Sequence, residues 1–159
     1  MRNVRIIAVG NIKENYLRDA CKEYEKRLGG FCRIEICELR EARLPEDPSA
    51  GEIAAALSEE ADNILANVPP RAYVVALCVE GREYSSVELA QKLDATAQTH
   101  SSLCFIIGSS YGLDERVKRA ADLRLSLSQL TFPHRLFRVM LLETVYRSMT
   151  IISGKKYHK

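Results

Sequence analysis

The stretch AYVVALCVEGREYSSVELAQKLDATAQTHSSLCFIIG, residues 72–108, decides the fold. Ala72 to Val79 is a nearly unbroken apolar run, the pattern of a strand covered on both faces rather than one with a wet side. Ser85 and Glu88 stand three apart, the spacing of a capping box, so a helix is expected through VELAQKLDATAQ. Leu103 to Ile107 is a second short apolar run, closed by Gly108. Two buried strands joined by a helix pair in parallel, because a parallel pair needs a long crossover.

The flanking segments repeat the theme. Toward the N-terminus, Asn3 to Val9 reads as a short strand closed by Gly10. In KENYLRDACKEYEKRL, residues 13–28, Tyr16, Leu17, Ala20, Tyr24 and Leu28 fall at helical spacing, and Gly29 and Gly30 end that helix. Phe31 to Glu38 alternates as a half-buried strand. REARLPEDPSAGE, residues 40–52, is polar with two prolines and reads as a mobile loop. Glu52 to Asn67 is an alanine-rich helix stopped by Pro69 and Pro70. Toward the C-terminus, Asp114 caps a short helix through Ala121, Leu123 to Leu127 alternates as a fifth strand, and Pro133 opens the last helix. The fold class is therefore α/β, a mostly parallel sheet with helices on both faces, in a single domain over residues 1–159.

Composition restricts function. Hydrophobic residues make up 47% and charged ones 28%, and no apolar run approaches the roughly 20 residues of a membrane span. IIAV near the start is too short for a signal-peptide core, so a cytoplasmic location is expected. Cysteines 21, 32, 37, 78 and 104 show no zinc spacing and read as buried free thiols, and no metal is expected. With 23 basic against 21 acidic residues the net charge is +2. Nucleic acid held by bulk electrostatics needs a wide basic face. An RNA partner must therefore be contacted locally or presented by another macromolecule.

In parallel sheets ligands bind beyond the carboxyl ends of the strands. Three ends stand out: the loop after Leu77, GSSYGL at 108–113, and the segment around 128–132. In the last of these Ser128, Gln129 and Thr131 offer hydroxyl and amide groups, while Leu127, Leu130 and Phe132 offer apolar walls. That mixture suits an adenosine-like ligand, or else the hydroxyls cap the following helix. Near the start of that helix His134, Arg135 and Arg138 share about a third of the circumference. Two arginines there oppose the helix dipole unless an anion or carboxylate partners are close. The rest of the helix, Leu136 to Ile152, is apolar on more than one face, which points to a subunit interface. It ends in a basic, aromatic tail, Lys155, Lys156, Tyr157, His158 and Lys159, suited to an anionic and aromatic ligand.

TFPH-x-x-x-R-V at 131–139, E-x-x-Y-R at 143–147 and the closing YHK together resemble the RlmH family of ribosomal RNA large subunit methyltransferases, which modify a pseudouridine at N3. AVG at 8–10 and EYEKRL at 23–28 are similar to that family's start, so the likeness runs along the whole chain. It implies a SPOUT fold with a C-terminal trefoil knot, S-adenosylmethionine as cofactor, and a homodimer acting on 23S ribosomal RNA in the assembled ribosome. Carried over by position, the cofactor pocket comprises Leu77, Gly108, Leu127, Ser128, Gln129, Leu130, Thr131 and Phe132. The tail then completes a site beside the partner's cofactor. His134 and His158 are the candidate proton acceptors, and Arg138 stabilises charge on the ring or holds a phosphate. Tyr157 stacks on the base, while Lys155, Lys156 and Lys159 pair with phosphates. One departure is Ser109, where the family shows a second glycine; a Cβ there is expected to narrow the backbone and crowd the cofactor. The alternative is a ribosome-associated RNA-binding or assembly factor without catalysis, which Ser109 favours.

Overall fold

The computed structural model describes residues 2–157. His158 and Lys159 lie outside the described residues. Five parallel strands form one sheet in the order β2-β1-β4-β3-β5: β1 (Arg2–Val9), β2 (Cys32–Leu39), β3 (Ala72–Arg82), β4 (Ser102–Ile107) and β5 (Leu123–Leu125). The connecting helices are α1 (Asn15–Leu28), α2 (Ala50–Asn67), α3 (Ser86–Ala95), α4 (Glu115–Ala120) and the terminal α5 (His134–Ile152).

Alternation along the strands sorts the core into two layers. Ile6 and Ala8 of β1, Val75 and Leu77 of β3 and Phe105 of β4 face α1, α3 and α5. Ile7, Val74, Ala76, Cys104 and Ile106 face α2 and α4. Each large side chain so buried contributes about 1.5–3 kcal/mol. The crossovers obey one rule: β1 to β2 and β3 to β4 step one way with their helices on the first face. The other two, β2 to β3 and β4 to β5, step the opposite way with helices on the second face. All four therefore share one hand, as twisted parallel sheets require.

Ser85 and Glu88 form the expected capping box, with Ser85 Oγ accepting from the Glu88 N–H at 3.2 Å. An unanticipated second box, Ser49 and Glu52, starts α2 at Ala50 rather than at Glu52. Segment 40–49 is irregular, but the main-chain N–H of Ala42 is anchored on Glu60 at 2.9 Å. The fifth strand stops at Leu125, not Leu127, because β3 does not run beside it evenly. Both Leu77 and Arg82 of β3 pair with Leu125, so Cys78 to Gly81 bulges out between them. Gly81 is what permits this: a Cβ there would meet the Leu125 backbone at 2.6 Å. The strand end is thereby turned into a wall.

Cys21, Cys32 and Cys104 are buried free thiols, and burial pushes Cys32 up to about 11 and Cys104 up to about 12. Cys37 and Cys78 are only half-buried, Cys78 standing on the bulge. Helix α5 packs on both α1 and α3, so most of its apolar surface is consumed within the chain. Leu136 and Ile152 remain outside, 38% and 37% exposed.

Candidate active site

At the carboxyl pole of β3, β4 and β5 lies a cavity of about 620 Å³, within the range of roughly 300–1,000 Å³ usual for small-ligand sites. The three strand ends singled out in the sequence meet there. Leu77 comes from β3, Gly108 from the loop after β4, and Leu127, Ser128, Leu130, Thr131 and Phe132 from the segment leading to α5. Gln129 does not line it; the side chain is exposed on the turn. Leu130 sits at the mouth, 71% exposed. The hydroxyls do not cap the following helix, whose N-cap, Pro133, has no side-chain hydrogen bond; Ser128 Oγ instead accepts from the Leu130 N–H at 3.0 Å.

The floor is a tight turn. The Gly112 N–H donates to the Ser109 carbonyl at 2.9 Å, and Ser109 and Gly112 form an isolated bridge. Gly108 fits under that turn so closely that an added Cβ would meet the Gly112 carbonyl oxygen at 2.2 Å. Ser109 is itself a lining residue. Its hydroxyl donates to Glu60 Oε1 at 3.0 Å and the residue is 7% exposed.

Further lining residues, Phe137 of α5 among them, were not assigned to the site from the sequence. Cys78, Val79 and Glu80 come from the β3 bulge, and Lys118 comes from α4. Lys118 pairs with Glu80 and, at 3.6 Å, with Glu115. The three-residue spacing of Glu115 and Lys118 was the available signal, since that pair shares a helix face. The hydrogen bond to Lys118 holds the Glu80 carboxyl below the usual carboxylate range.

His134 lines the rim, and an added Cβ on Gly10 would lie 3.6 Å from its Nε2 and 3.7 Å from Glu41 Oε2. The imidazole therefore faces the end of β1. Both arginines of the first turns have carboxylate partners: Arg135 pairs with Glu14 at 2.9 Å and Arg138 with Glu38 at 2.6 Å. Arg138, 5% exposed, also donates to the Gly10 carbonyl at 2.9 Å. It ties α5 to the ends of β1 and β2 and is not part of the cavity lining. The dipole cost of these arginines is thus met by ion pairs within the chain.

Of the tail, Lys155, Lys156 and Tyr157 lie at the other end of α5. Tyr157 donates its hydroxyl to Glu143 Oε2 at 3.0 Å and packs edge-on to Tyr146, with ring centroids 4.8 Å apart. Lys155 stands 4.4 Å over the Phe31 ring, and Lys156 is exposed. Tyr24, which also hydrogen-bonds Glu143, is pushed up to about 12, first by burial.

Glu60 on α2 is 4% exposed. Burial raises its carboxyl above the ordinary value of 4.5, with the charges of Glu41 and Glu59 adding, while its hydrogen bonds from Ala42 and Ser109 pull the other way. A folded value raised above the unfolded one means a stability contribution that is full below 4.5 and lost as pH rises through the folded value. Glu60→Gln removes that loss. The variant is expected to melt at a higher temperature than the parent at mildly alkaline pH, with the difference shrinking as the solution is acidified. Equal gains at every pH in thermal melts would refute the assignment.

Residues 2–158 match the family described as "Predicted SPOUT methyltransferase". The chain is 44% identical over 158 residues to the ribosomal RNA large subunit methyltransferase H of Clostridioides difficile (strain 630), covering 99% of each chain. It is also 44% identical over 157 residues to the protein of that name from Streptococcus thermophilus (strain ATCC BAA-491 / LMD-9), covering 98% of this chain and 99% of the relative. Among solved structures, a probable methylase family protein from Haemophilus influenzae Rd KW20 superposes with a TM-score of 0.57 at 15% identity. That match covers 99% of this chain and 71% of the other, and shows the likeness of fold.

Proposed function

The chain belongs to the SPOUT methyltransferase family, and from that premise we propose that it transfers a methyl group from S-adenosylmethionine to N3 of a pseudouridine in 23S ribosomal RNA. It acts on the assembled ribosome, as a cytoplasmic homodimer whose C-terminal segment is knotted. The observation that carries this reading is the single cavity in which Leu77, Gly108 and the segment Leu127–Phe132 meet.

Its lining fits the cofactor. Leu77, Leu127, Phe132 and Phe137 make apolar walls for a planar base, Ser128, Ser110 and Thr131 offer hydroxyls, and Glu80 with Lys118 supplies one charge of each sign for a zwitterionic amino-acid end. When bound, the cofactor supplies a methyl group on a sulfonium, already strongly electrophilic. The protein then has to exclude water, align the ring nitrogen and accept its proton. His134 Nε2, at the rim and facing Gly10, is the chain's own proton acceptor. Arg138, fixed by Glu38 and the Gly10 carbonyl, holds positive charge where the ring or a phosphate approaches the ends of β1 and β2.

The tail serves the other subunit. From Phe137, the last lining residue of α5, to Tyr146 the helix rises about 13 Å, so Tyr157 packed on Tyr146 stands well away from the cavity of its own chain. In a dimer it stacks on the base bound opposite, His158 is the second candidate proton acceptor, and Lys155, Lys156 and Lys159 pair with phosphates. Leu136 is the exposed apolar residue of α5 nearest the cavity rim and belongs to the dimer contact. With a net charge of only +2 the protein depends on the particle to present its RNA. The alternative, a ribosome-associated assembly factor without catalysis, turns on the Cβ of Ser109 in the cavity lining and predicts no S-adenosylmethionine binding.

Two measurements test this. Calorimetry is expected to register S-adenosylmethionine binding, and no heat at millimolar ligand ends the enzyme reading. Mass spectrometry of ribosomal RNA from cells with and without the protein is expected to differ by one methyl group on a pseudouridine; equal turnover on an isolated hairpin would refute the ribosome requirement.

A further inference from the structure

We infer that Glu60 and Ser109 are positioning residues that set the shape of the cofactor cavity's floor, an inference that rests on reading that cavity as the cofactor site. Glu60 projects from α2, on the face of the sheet opposite α5, and neither it nor α2 lines the cavity. Its two carboxyl oxygens divide between two loops. Oε1 accepts from Ser109 Oγ at 3.0 Å, and Oε2 accepts from the Ala42 N–H in segment 40–49 at 2.9 Å. Ser109 is the hinge of the floor: its carbonyl closes the turn by accepting from the Gly112 N–H, and Ser110, Tyr111 and Gly112 all line the cavity.

The arrangement costs stability. Glu60 is buried with no cation paired to it among the described residues, and an ionised carboxylate so placed is held at a loss. An uncharged side chain would pack the same space more cheaply. What a forked polar side chain of this length supplies, and an apolar one does not, is a simultaneous hold on both loops. Below the turn there is no slack, because even a Cβ added to Gly108 would stand only 2.2 Å from the Gly112 carbonyl oxygen. A shift of Ser109 therefore displaces the whole floor rather than being absorbed.

The test measures S-adenosylmethionine affinity by calorimetry, with thermal midpoint and turnover in parallel, for Glu60→Ala, Glu60→Gln, Ser109→Ala and the Glu60→Ala/Ser109→Ala double variant. Each alanine variant is expected to weaken cofactor binding by about tenfold. Turnover at saturating cofactor stays within about twofold, since only binding is affected. The double variant is expected to bind no more weakly than Glu60→Ala, because the two residues act through one bond. Glu60→Gln, which accepts from Ala42 and donates to the Ser109 hydroxyl, retains affinity. Unchanged affinities with lowered melting temperatures would reduce the pair to a structural role and overturn the inference, as would additive losses. Should Glu60→Ala fail to fold, Ser109→Ala against Glu60→Gln decides alone. A parent protein that binds no S-adenosylmethionine would instead overturn the cofactor reading on which the inference stands.

Discussion

Replacing Gly108 with alanine is expected to abolish S-adenosylmethionine binding, with affinity lowered by at least about a hundredfold, and to destabilise the protein by about 3 kcal/mol. The cause is a contact with backbone. The added methyl would stand 2.2 Å from the Gly112 carbonyl oxygen and 2.7 Å from its carbonyl carbon, and a main-chain group cannot swing aside as a flexible side-chain end does. The turn 109–112 must lift, and that turn is the cavity floor. The control lies four residues on. Gly112 has φ of 89°, but an added Cβ there has nothing within 4 Å. Gly112→Ala therefore carries only conformational strain, on the order of 1 kcal/mol, and is expected to keep most of its affinity. If Gly112→Ala lost binding as fully as Gly108→Ala, backbone conformation rather than space would be the controlling factor.

That contrast marks where sequence reading stops. The strands of the second half were legible because burial on both faces forbids alternation, and Ala72 to Leu77 and Leu103 to Ile107 show none. Helix α3 was legible because a capping box is a local device, read from Ser85 and Glu88 alone. The three loops of the cavity were legible as strand ends, since a parallel sheet puts all its carboxyl ends at one pole. The β3 bulge was not. Cys78 to Gly81 leaves the ladder only because β5 passes against Gly81, a contact between segments more than forty residues apart. Glu60 was invisible for the same reason. In the sequence it is one of several acids on an alanine-rich helix, and its burial follows from which face α2 turns to the sheet and which loops reach it. Arginines 135 and 138 could be recognised as needing anions, whereas Glu14 and Glu38 as the suppliers depend on the packing of α5 against α1 and the strand ends.

Deleting Tyr157 to Lys159 is expected to lower methyl transfer by at least about a thousandfold while leaving S-adenosylmethionine affinity within about twofold, the pattern of an interaction made only with the substrate in place. The expectation follows from where the tail is anchored. Tyr157 is held by Glu143, by the edge of Tyr146 and by the Arg147 guanidinium 4.7 Å from its ring, all in the second half of α5. The cavity ends at Phe137, in the first turn of that helix. Removing the tail therefore withdraws no wall from the cofactor site of the same chain, and Leu141, Leu142 and Val145 keep α5 buried against α1 and α3 without it. What the deletion takes away is the Tyr157 ring, one histidine and one lysine, groups that in the proposed dimer come from the second copy. Mixing the deleted chain with a chain carrying Gly108→Ala sharpens the point. Each homodimer is dead, but a mixed dimer pairs one intact cavity with one intact tail. If the tail acts across the interface, mixing restores activity toward one working site per dimer; if it serves its own chain, no mixture recovers any. Loss of cofactor affinity together with activity in the deleted chain would show instead that the tail supports the cavity of the chain it belongs to.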